Sequence, residues 1–166
     1  MAKPLLLVDI DGVLNPSPSR ADRELFEEVE VGSPEPFTRA LVNVQHGDWL
    51  RELTHHFSLL WASTWQEDAA YSFGPLLGLP DLPYIDFDSS PLVAGLMLKI
   101  PAVAEATKGR AFVWFDDEVG PREQAWFDKH HDAPTLCVAV DPRRGLERGH
   151  VDDAIAFATS LPEAER

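Results

Sequence analysis

Four short apolar runs punctuate the chain, at Pro4 to Val8, Phe57 to Ala62, Ala111 to Phe115 and Thr135 to Val140. Each has the length of a strand buried on both faces and is bounded by polar turns, the pattern of a parallel sheet. Helical spacing lies between and after them. Val151, Ala154, Ile155, Ala158 and Leu161 recur at the interval of one helix face, with Asp152 and Asp153 suited to the first turn. Pro101 and Pro121 fall where proline is tolerated, in the first turn of helices through Val103 to Thr107 and Glu123 to Lys129, and Gly109 ends the former. Further helices are predicted from about Asp48 to His55 and from about Gln66 to Tyr71, the second limited by Gly74 and Pro75.

Strands alternating with helices predict an α/β fold: a central parallel sheet with helices on both faces, a Rossmann-like three-layer sandwich with right-handed crossovers. Two stretches break the rhythm. Residues 16–45, rich in Pro, Ser and Glu, read as a flap with a hairpin over Glu28 to Val31 and Arg39 to Val44; residues 79–98 read as a short strand plus loop. The length of 166 residues suits one domain over 1–166, and neither insert is long enough for a separate cap domain.

Composition narrows the function classes. The first apolar run is short and ends in acids, unlike a signal-peptide core or a membrane span, so a cytoplasmic protein with no membrane partner is expected. The single cysteine, Cys137, sits in an apolar run and reads as an inert buried thiol. A net charge of −14 repels phosphate backbones and removes the usual basic nucleic-acid footprint. Arg143, Arg144 and Arg148 form the one candidate basic rim, although a solvated turn before a helix is the favoured explanation for them. Histidines 46, 55, 56, 130, 131 and 150 lack ligand spacing with a cysteine and are assigned structural or surface roles, which argues against zinc. The tryptophans read as packing residues, with Trp65 standing out because it lies just past a candidate site loop.

In open α/β sheets the chemistry sits beyond the carboxyl ends of the strands. Here the first run ends in Asp9-Ile10-Asp11-Gly12, the second in Ser63-Thr64-Trp65 and the third in Asp116-Asp117-Glu118. One aspartate after a strand is usually a turn-former; three such loops converging on one edge are a site. Carboxylates gathered there repel, by roughly 4 kcal/mol for a pair about 4 Å apart at an effective dielectric near 20. A divalent cation offsets a whole cluster, and an all-oxygen donor set points to Mg2+.

Asp9-Ile10-Asp11-Gly12-Val13-Leu14-Asn15 resembles the first motif of HAD (haloacid dehalogenase-like) phosphatases, DxDGxxN/T, in residues and in position after the first strand. Ser63 after Leu59-Leu60-Trp61-Ala62 resembles the second motif, Lys99 before Ile100-Pro101 the third, and Asp116-Asp117 after Val113-Trp114-Phe115 the fourth. More loosely, Trp61 to Trp65, Phe115 to Asp117 and Asp141-Pro142 to Gly145-Leu146 are similar to the small HAD domains of multi-enzyme RNA repair proteins. The resemblance implies a magnesium-dependent phosphatase or phosphotransferase. In it Asp9 is the nucleophile that forms an aspartyl-phosphate, and Asp11 is the acid and then the base. The metal is held by Asp9, the Asp11 backbone carbonyl and Asp116, with Asp117 a ligand or just outside. Lys99 and the second-motif hydroxyl hold phosphate; either Ser63 or Thr64 can supply it, and Ser63, which ends the strand, is preferred. A phosphorylated small molecule is the expected substrate, a nucleic-acid end the alternative, and a catalytically silent metal-binding or interaction domain the third reading.

Overall fold

The computed structural model describes residues 3–17, 24–32, 38–89, 93 and 95–162. Its main sheet holds four parallel strands in the order β4-β1-β5-β6: β1 (Leu5–Val8), β4 (Ser58–Trp61), β5 (Phe112–Asp116) and β6 (Thr135–Ala139). All four lie inside or within one residue of the predicted apolar runs. Central β1 and β5 are buried along their whole length, which is why they read as continuous apolar runs rather than alternating ones.

The period of two along β1 still shows in the packing. Leu6 and Val8 face one core with α1 (Val44–Leu53) and α5 (Arg148–Ser160), through Leu50, Leu53, Val151, Ala154 and Ala158. Leu5 and Leu7 face a second core with α3 (Ile100–Ala106) and α4 (Pro121–His130), through Ile100, Val103 and Phe127. Helices therefore cover both faces, as the alternation predicted. Both prolines sit at the helix starts, and Gly109, at φ +71°, closes the turn after α3.

Two segments differ in detail from expectation. The first helix starts at Val44 rather than near Asp48, because Asn43 caps it by accepting the Gln45 N–H (3.0 Å). The helix expected from Gln66 becomes a π-helical turn at Ala69–Phe73 followed by the single turn α2 (Gly74–Leu76). The late loop contributes an isolated bridge between Tyr84 and Trp61 at the β4 edge. A hairpin of β2 (Glu27–Val31) and β3 (Thr38–Val42) occupies the flap region, with Val31, Ala40 and Val42 in the first core. The rest of the flap, at 18–23 and 33–37, lies outside the described residues. No separate cap domain accompanies the sheet among the described residues, where no helix is long and apolar enough to cross a membrane.

Candidate active site

The loop after β1 turns back on itself through three N–H bonds from Val13, Leu14 and Asn15 to the Ile10 carbonyl. Gly12 makes this possible. It takes φ +79°, and a Cβ there would collide with the Asp117 carboxylate, so glycine lets the first and third acidic loops touch. The loop sends its two aspartates in different directions. Asp9 is buried (4% exposed) and accepts the Ile10 N–H (2.7 Å), whereas Asp11 is exposed at the rim.

Lys99 enters from the position just before α3 and is also buried, with Nζ donating to Asp9 Oδ2 (2.5 Å) and to Asp116 Oδ2 (2.7 Å). Asp116, at the end of β5, is fully buried, and its other oxygen accepts the Glu118 N–H (2.8 Å). Asp9, Asp116 and half-buried Asp117 each offer an oxygen within 4.8 Å of the other two, a donor set suited to one hard cation. Three carboxylates against one ammonium leave two negative charges, the amount a divalent ion carries.

The electrostatics bear this imbalance out. Burial pushes the Asp9 carboxyl up to about 6; Lys99 opposes the rise and Asp116 adds to it. Asp116 is raised, first by burial, which Lys99 only partly offsets. Asp117 is raised by burial and then by the charge of Asp9. Burial alone would lower the Lys99 ammonium, but Asp9 and Asp116 outweigh it and hold it above the ordinary lysine value. One lysine does not neutralise the cluster.

Substituting this lysine gives a direct check on the balance. Lys99→Met is expected to destabilise the metal-free fold by about 3–5 kcal/mol, the usual cost of removing one partner of a buried ion pair. Denaturant unfolding in a chelator reads it out, and a loss under about 1 kcal/mol would mean that Lys99 does not offset the buried acids.

Beside the cluster opens a cleft of about 430 Å³ whose walls include Asp9, Asp11, Asn15, Thr64, Lys99 and Asp117. Thr64 is exposed on it, while Ser63 is 1% exposed and its Oγ accepts the Trp65 N–H at 3.4 Å. Of the two second-motif hydroxyl residues, Thr64 is the one that lines the cleft.

Asp11 stands outside the carboxylate cluster and is clamped. Its Oδ1 accepts from Asn15 Nδ2 (2.8 Å) and its Oδ2 from Trp65 Nε1 (2.9 Å). Asn15 in turn accepts the Leu41 N–H of β3 (2.9 Å), so the hairpin is tied to the same carboxylate. Trp65 is set by its packing edge-on against Phe73 (centroids 5.1 Å apart) and by a tight turn in which Gln66 takes φ 48°. Nothing in the periodicity of the sequence announces the bond from Trp65 to Asp11; only the place of this residue after the second loop marks it.

Strand order, the β1 loop and the acidic pair at the end of β5 together put this domain in the HAD class of α/β folds. Residues 5–151 match the family described as the HAD domain in Swiss Army Knife RNA repair proteins, and the chain belongs to that family. No curated protein matches the sequence.

Proposed function

We propose that the chain is a phosphomonoester hydrolase that uses Mg2+ and forms an aspartyl-phosphate on Asp9. The observation that carries this reading is the buried Asp9–Lys99–Asp116 constellation, whose Asp9 and Lys99 line the cleft. A carboxylate attacks a phosphate only if the repulsion between them is masked. Magnesium bound by Asp9, Asp116, Asp117 and the Asp11 backbone carbonyl would supply most of that masking as a Lewis acid.

The protein's own groups then divide the work. An Asp9 oxygen attacks phosphorus, the bond from phosphorus to the ester oxygen breaks, and Asp11 donates a proton to the departing alkoxide. Asp11, now a carboxylate, takes a proton from water, which attacks the phosphoryl group and frees Asp9. Lys99 and Thr64 hold phosphoryl oxygens, with Ser63 behind Thr64 fixing the turn. Asp11 suits this double role because it lies at the rim, reached by solvent, while the nucleophile is buried. A magnesium-dependent screen of sugar phosphates, nucleotides and phosphorylated oligonucleotide ends tests the proposal, and no release of phosphate from any of them would overturn it.

Within this reading Trp65 is a positioning residue. Trp65→Phe keeps the ring on Phe73 and deletes the N–H to Asp11. A hydrogen bond to a charged group is worth ~1.5–3 kcal/mol, so kcat/KM for an alkyl phosphate is expected to fall by about ten- to a hundredfold. The loss should be smaller for p-nitrophenyl phosphate, whose leaving group needs little protonation. Steady-state kinetics on both substrates check it; equal losses would mean that Trp65 acts on the fold rather than on the acid.

A further inference from the structure

β6 is one edge of the main sheet and pairs on a single side, with β5. The register of that pairing decides where its peptide groups point. The Phe112 N–H donates to the Pro134 carbonyl (3.1 Å) and the Val140 N–H to the Asp116 carbonyl (3.1 Å), so residues 134, 136, 138 and 140 direct their peptide groups to β5. Thr135, Cys137 and Ala139 therefore turn their N–H and C=O groups outward. Beside this edge, between β6 and α5, lies a cavity of about 610 Å³ whose walls include Leu136, Val138, Ala139 and Phe157. An outward row of peptide groups next to apolar side chains is what an added strand pairs with.

Part of that row is already taken. Half-buried Gln124 of α4 lays its side-chain amide on the strand: Oε1 accepts the Cys137 N–H (2.7 Å), and Nε2 donates to the Thr135 carbonyl (3.2 Å) and to Thr135 Oγ1 (3.1 Å). A residue of a parallel strand lying opposite Leu136 would make the same two backbone bonds, giving its N–H to residue 135 and accepting the N–H of residue 137. The amide stands in for that residue. It is steadied from its own helix, since Nε2 also donates to Asp128 Oδ1 (2.7 Å) one turn further along α4. We propose that Gln124 is a guard on the open sheet edge, which keeps β6 from pairing with the β6 of a second copy of this chain. A second copy fits because two such edges related by a twofold axis run antiparallel and present the same groups to each other, an isologous interface. The net charge of −14 opposes association, but charges beyond about 8 Å are screened at physiological salt, so the edge has to be closed locally. None of this depends on the phosphatase reading.

The test compares the full-length wild type with Gln124→Met and Gln124→Ala by light scattering coupled to size exclusion, at physiological salt. Methionine keeps the length of the stem and removes the donor and the acceptor; alanine removes the stem as well, so association of both variants cannot come from an added apolar side chain. The wild type is expected to stay monomeric. Both variants should keep its circular dichroism spectrum and rise to about twice its mass or more as concentration increases. Adding Ala139→Lys, which puts a charge on an exposed position of the edge, should return each of them to the monomer. Amide exchange supplies a readout that needs no variant. In the wild type the capped Cys137 N–H should exchange about tenfold more slowly than the outward Ala139 N–H, which meets no acceptor among the described residues. Equal exchange rates at these two amides, a wild type that is already dimeric, folded variants that remain monomeric, or association that survives Ala139→Lys would each overturn the proposal.

Discussion

The Asp9→Asn protein is expected to fold as the wild type does and to release no phosphate. The amide nearly matches the carboxylate in shape, its oxygen can still accept from Lys99, and Lys99 keeps its second partner, Asp116. What disappears is the nucleophile, since an amide oxygen does not form a stable phosphoryl ester. Against a typical turnover of ~1 s⁻¹ or more, the loss should be complete within detection. Circular dichroism and a melting curve check the fold while a phosphate-release assay checks the chemistry. Retained turnover with an intact fold would falsify the aspartyl-phosphate route, and Asp11 or a bound water would then have to attack directly.

Magnesium should raise the melting temperature of the wild type and leave that of Asp116→Asn nearly unchanged. Asp9, Asp116 and Asp117 come together only in the folded chain, so the ion binds the native state and not the unfolded one. At a hundred times its dissociation constant it adds about 2.7 kcal/mol, which for a domain of this size is roughly 5–10 °C. Asp116→Asn keeps the oxygen that accepts the Glu118 N–H but removes one of the three charges. Differential scanning calorimetry over a magnesium series separates the two outcomes. If isothermal titration detects no binding to the wild type, the cation reading fails and the mechanism with it.

The order of the elements was written in the chain. Strands buried on both faces must be apolar throughout, so β1 and β5 stand out from their composition alone; the edge strands β4 and β6, partly exposed, still keep short apolar runs, and prolines at helix starts and Gly109 mark the neighbouring boundaries. The three acidic or hydroxyl-bearing loops were legible for a related reason, because parallel strands joined by crossovers place every carboxyl end on one edge. Lys99 was legible chiefly through its resemblance to a motif, since by itself it shows only the mild misfit of a cation at a helix start.

What the tertiary structure alone decided was direction. Asp9 and Asp11 are two residues apart, yet one is buried on Lys99 and the other stands at the rim on Asn15 and Trp65, because the β1 loop reverses around the Ile10 carbonyl. The same applies to Ser63 and Thr64, where the turn into Gln66 buries the first and exposes the second toward the cleft. A cavity between the flap, the start of α1 and the 141–148 segment is a more extreme case: Phe26, Trp49 and Arg143, which line it, are far apart in the chain. Sequence patterns report which residues are buried and in what order. The direction of a side chain at a loop depends on φ and ψ values and long-range packing that no local period encodes.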